Sequence, residues 1–125
     1  MRRLAAVALP ALAGACGVFQ REAKETPAQV AARQTEDARI LREVEARLAA
    51  EPSIGAGRIR VEVQSGEVGL FGAVSGLGAL RCAERNAELV RGVRLVIDHL
   101  VLDPGPRDVR CLAPRVFAAP VATGS

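Results

Sequence analysis

The chain has no tryptophan and no tyrosine, and its aromatic content is three phenylalanines. So few aromatic side chains make no platform on which a run of unpaired bases could stack, and no block of lysine and arginine takes its place. A formal charge of +3 and a pI of about 9.2 do not reverse this. Removing Arg2 and Arg3 from the 17 basic residues leaves 15 against 14 acidic, a nearly neutral remainder. No nucleic-acid partner is expected. Histidine occurs once, as His99, with no nucleophile or acid that could be named as its partner, so an enzyme is not expected. Cysteine and histidine show no paired ligand spacing, so no metal is expected. Gly55-Ala56-Gly57 and Gly76-Leu77-Gly78 lack the third glycine of a nucleotide loop, and no cofactor is expected. After Cys16 no apolar run is long enough to span a bilayer.

What is present begins with an address. Met1-Arg2-Arg3 is a short basic region, and Leu4 to Ala13 is an uncharged apolar run of signal-peptide length. Ala13-Gly14-Ala15-Cys16 allows two processing routes. Ala13-x-Ala15 suits ordinary signal peptidase, cutting before Cys16 to release a soluble periplasmic protein. The same residues resemble the lipobox of bacterial lipoproteins, although Ala13 replaces the commoner Leu. That resemblance implies acylation (palmitate-type chains) on Cys16, and Gly17 in place of Asp implies the outer membrane. The lipoprotein reading is preferred, because a cysteine at the cleavage point is otherwise unneeded. Residues 1–15 are thus read as signal peptide and 16–35 as tether and possible helix start.

Thr26-Pro27-Ala28-Gln29 has the order of a helix N-terminus: cap, first-turn proline and capping-box glutamine. A long helix from Pro27 is expected, with Thr35 as a second possible cap. Ile40, Leu41, Val44 and Leu48 then form an apolar stripe. Glu36 and Asp37 are read as first-turn acids, Glu43 and Arg47 as an i,i+4 pair, and the remaining charges as a solvated face. Pro52 ends the element. Arg58 to Val63 and Val68 to Val74 alternate apolar with polar or small residues around Ser65-Gly66, which predicts a β-hairpin. Leu80, Ala83, Ala87 and Val90 recur at helical spacing, with Gly92 expected as the glycine that stops the helix. Val93 to Leu102 is a third strand-length apolar run. The expected class is α+β, in the order α-β-β-α-β, with two helices packed on one face of a three-stranded mixed sheet. Gly72, in mid-strand, is expected where a helix approaches closely, opposite small Ala83 and Ala87.

These residues carry a profile: Val61-x-Val63, Ser65-Gly66-Glu67-Val68-x-Leu70-x-Gly72-x-Val74, and Gly92-Val93-x-x-Val96-x-Asp98-x-Leu100-x-Leu102. The stretch 36–102 resembles the BON domain of bacterial osmotically inducible periplasmic proteins and outer-membrane-associated lipoproteins. Asp98 departs from the usual Asn, Gly76-Leu77-Gly78 from a more polar helix entry, and one copy stands where many relatives have two. The resemblance implies a non-catalytic module that binds anionic phospholipid and supports envelope integrity or osmotic stress tolerance. The alternative is a periplasmic protein-interaction or structural subunit without lipid binding. The partner is then membrane phospholipid or an envelope protein, and the location the periplasm, anchored to the outer membrane if Cys16 is acylated.

Two helices cover one sheet face only. The uncovered face is expected to present Phe71, Leu95, Ile97 and Val101 as an apolar interaction surface, with His99 among them, unless the irregular tail 103–125 lies over it. Arg81, Arg85, Arg91 and Arg94 could meet anionic head groups, or form a solvated face with Glu84 and Glu88. With Cys16 acylated, Cys82 and Cys111 remain as an even pair in an oxidising compartment, and a disulfide stapling the tail to the second helix is expected.

Overall fold

The computed structural model describes residues 23–114. The expectations for residues 1–22, including Cys16, and for 115–125 lie outside the described residues. The order is α1 (Pro27–Ala49), a 3-10 turn (Ala56–Arg58), β1 (Ile59–Gln64), β2 (Glu67–Ser75), α2 (Leu77–Glu88) and β3 (Leu95–Asp103). The sheet runs β1-β2-β3, with β1 antiparallel and β3 parallel to β2. It is the expected α-β-β-α-β fold. α1 packs on β1, α2 packs on β2 and β3, and the two helices touch each other.

α1 begins at the cap the sequence offered. Thr26 Oγ1 accepts from Gln29 N–H, and Gln29 Oε1 accepts from Thr26 N–H, closing a capping box ahead of Pro27. With the helix starting there, Glu36 and Asp37 lie in its third turn and cannot serve the N-terminal dipole. Asp37 instead reaches the hairpin. Its carboxylate accepts the backbone N–H groups of Ser65 (2.7 Å) and Gly66 (2.9 Å). Both turn residues have positive φ, the geometry a two-residue hairpin requires. Glu43 pairs with Arg39 rather than Arg47, because Arg39 forks between Glu36 and Glu43 on the same helix face.

The core is the expected aliphatic set. Ile40, Val44 and Leu48 of α1 meet Val61, Val68, Leu70 and Val74 of the sheet and Ala79, Cys82, Ala83 and Ala87 of α2. α2 stops at Glu88, earlier than expected. Gly92, at φ 95°, sits in the turn that leads into β3. Gly72 also has a different reason from the one expected. It is exposed, has φ 126°, and a Cβ there would lie 2.0 Å from the Arg58 carbonyl oxygen. Its close neighbour is the backbone beside β1, not a helix. Leu102 belongs to the helix-facing phase of β3, yet is 49 % exposed on this edge strand of the sheet.

Candidate binding surfaces

The open face of the sheet is built by register. Arg60 pairs with Phe71 across β1 and β2, and Phe71 pairs with His99 across β2 and β3. The three side chains therefore stand in a row. The Arg60 guanidinium lies 4.8 Å from the centre of the Phe71 ring, and the His99 ring stacks on it at 4.6 Å. The Phe71 ring folds back over Gly69, where a Cβ would come within 2.8 Å of it. Around this row Leu95 is 48 % exposed, Ile97 40 % and Val101 63 %, so β3 presents a ridge of aliphatic side chains to solvent. Phe71, Leu95, Ile97 and Val101 thus share one face, as their strand phase requires. At its rim the charges are paired: Arg58 with Asp103, and Arg60 with Glu62.

The described part of the tail leaves this face uncovered. It turns back at Asp103, whose carbonyl accepts from Gly76 N–H, and runs along α2. Gly76 and Gly78 permit this course. A Cβ at Gly76 would lie 2.4 Å from the Pro106 carbonyl oxygen, and one at Gly78 would lie 2.8 Å from the Val109 nitrogen. The glycine pair that lacks a nucleotide-loop context makes room for a strap. Cys82 and Cys111 are joined as a disulfide that fastens the strap to α2.

Beneath the strap lies a residue that sequence reading assigned to a solvated face. Glu51 is 4 % exposed, and its carboxylate accepts from the N–H groups of Leu112 (3.1 Å) and Ala113 (2.7 Å) and from Asn86 Nδ2 (3.1 Å). The Glu51 oxygen and the two sulfurs lie within 4.8 Å of one another. The sulfurs are bonded to each other and the carboxylate is engaged by three donors, so the cluster is a structural knot. No signal in the sequence separates Glu51 from its exposed neighbours, since its partners lie 35 to 62 residues away.

The four arginines considered for head groups divide. Arg91 offers its carbonyl to Arg39, and Arg94 donates to the Ser65 carbonyl. Arg81 and Arg85 line a groove between α2 and the strap, together with Arg107 and Arg110. Three residues after Arg81 on α2, whose charge it feels, Glu84 faces Asp98 of β3. Burial first, then the neighbouring Asp98 charge, pushes the Glu84 carboxyl above its ordinary value. The Asp98 carboxylate supplies that repulsion.

The BON domain profile matches residues 36–104. The chain belongs to the BON domain family. That family consists of non-catalytic binding domains and is associated with membrane and phospholipid binding. No curated protein matches the chain. The matched region ends before the strap, so Arg107, Arg110 and Cys111 are additions to the BON core. Among the described residues no helix is long and apolar enough to cross a membrane.

Proposed function

We propose that this BON protein is an envelope binding module that applies the open face of its sheet to an anionic phospholipid surface, tethered by acyl chains on Cys16 to the periplasmic side of the outer membrane. The observation that carries the reading is the exposed ridge Leu95, Ile97 and Val101 beside the Arg60–Phe71–His99 row. Aliphatic side chains of this kind gain by burial in the head-group region, while guanidinium and imidazole groups stay at its polar boundary. Support for an envelope role in osmotic stress rests on the family alone.

The test is cosedimentation with phosphatidylglycerol vesicles of a chain carrying Cys16→Ala, at low salt. Ile97→Asp with Val101→Asp should weaken binding about tenfold or more. Absence of binding by the parent chain defeats the lipid reading. One observation favours protein docking instead: the rim charges are already neutralised as Arg58–Asp103 and Arg60–Glu62 pairs. β3 is also an edge strand, free on one side among the described residues to accept a partner's strand. Under that reading Phe71→Asp abolishes capture of an envelope protein and vesicle binding is absent throughout.

A further inference from the structure

We propose that the groove between α2 and the strap is a binding site for a phosphate-bearing anion, assembled by the Cys82–Cys111 disulfide. The groove has a volume of about 620 Å³ and is lined by Arg81 and Arg85 from α2 and by Arg107 and Arg110 from the strap. Asp108 is its one acidic wall residue. Arg81 and Arg85 are spaced i,i+4, one turn apart on the same side of α2. Four arginines elsewhere are paired: Arg33 with Glu25, Arg39 with Glu36 and Glu43, Arg58 with Asp103, Arg60 with Glu62. None of the four groove arginines makes an ion pair among the described residues.

A concentration of like charge around one cavity opposes folding unless something relieves it. A phosphate group is the matched relief, because guanidinium forks present paired N–H donors to its oxygens. Gly78, in the first turn of α2, also lines the groove, which places the positive end of that helix dipole at the same opening.

The disulfide links the two halves of the site directly. Each half-cystine follows a groove arginine, Arg81-Cys82 on the helix and Arg110-Cys111 on the strap, with the two cysteine Cα atoms 5.6 Å apart. Opening the bond releases the segment that carries half the positive charge. The groove lies on the helix layer, across the sheet from the ridge proposed to meet the membrane, so the two readings stand or fall separately.

The test uses the full chain and inorganic pyrophosphate as the probe, by calorimetry and thermal shift at low and high salt. The oxidised chain should bind and melt at a higher temperature with pyrophosphate, and Arg107→Gln with Arg110→Gln should lower affinity about tenfold or more. Both residues lie outside the core, so this variant should keep its disulfide and its circular dichroism. Reduction, or Cys82→Ser with Cys111→Ser, should lower affinity to a similar extent. Should the reduced chain unfold, the arginine variant still decides the matter. No binding by the oxidised chain, or equal binding by the arginine variant, overturns the site. Equal binding by a folded disulfide-free chain overturns its assembly by the disulfide. Phosphatidylglycerol vesicles then identify the source. Vesicle binding that depends on Arg107 and Arg110 and is displaced by pyrophosphate assigns a lipid head group. Pyrophosphate binding without such vesicle binding assigns a soluble phosphate. Ile97→Asp with Val101→Asp should leave pyrophosphate binding unchanged.

Discussion

Single side chains join distant pieces of this chain, and their removal should be felt far from their own position. Asp37 ties α1 to the hairpin turn through two charge-assisted hydrogen bonds. Asp37→Ala leaves two turn N–H groups without their acceptor, and we expect a loss of about 2–3 kcal/mol in urea unfolding. Gly72 has no room for a β-carbon beside the Arg58 carbonyl and holds a φ unfavourable to other residues. Gly72→Ala should therefore destabilise by about 2 kcal/mol or more by the same measurement. Both positions were legible only in part. The sequence marks Asp37 as a helical charge and Gly72 as a close approach. Neither partner can be read from it, since Asp37 bonds residues 28 and 29 positions away.

At the level of elements, pattern carried most of the fold. Alternation in β1 and β2 fixed which side chains face the helices, and the same phase placed Phe71, Ile97 and Val101 together on the outside. The capping box at Thr26 gave the start of α1. The end of α2 was misplaced because Val90 continues the apolar spacing and is buried, although it lies beyond the helix. Gly92 then stands too far along to stop the helix. Where α2 meets β3, the Glu84 and Asp98 carboxyls oppose each other. Glu84 holds its proton more tightly in the folded chain than in the unfolded one. Its environment is harmless below the ordinary carboxyl range and destabilises as pH rises through the raised value. Glu84→Gln should therefore raise stability at neutral pH and flatten that limb of the pH profile in thermal melts. On α1 the sign reverses: the hydrogen bond from Arg39 holds Glu36 below its ordinary value. That contribution is present above the ordinary range and disappears as the solution is acidified.

For the molecule as a whole, the BON core supplies the layer of helices and the open sheet, and the strap adds a second connection across them. The disulfide closes a loop of 29 residues, for which chain-entropy reasoning gives about 3–4 kcal/mol. Cys82→Ala with Cys111→Ala should lower stability by about that amount in urea. The calculation treats the cross-link as restricting the unfolded chain, so a smaller loss would mean that the unfolded chain is already compact there. Glu51→Ala should compound the loss, since it strands the Leu112 and Ala113 N–H groups that the carboxylate now accepts. Of the three cysteines, setting Cys16 aside left a pair, but nothing in the composition of residues 103–114 announces a segment that seals a buried carboxylate. Apart from Cys111, Val109 and Ala113, it is held through its backbone, and backbone contacts leave little trace in side-chain pattern.

The fastened strap also serves as a record of where the chain has been. A protease that nicks the main chain between Gly105 and Arg110 separates two fragments in sequence, yet they migrate as one species while the sulfur bridge holds. Adding reductant before electrophoresis splits them only if the molecule matured in an oxidising compartment. A chain retained among cellular thiols falls apart without it.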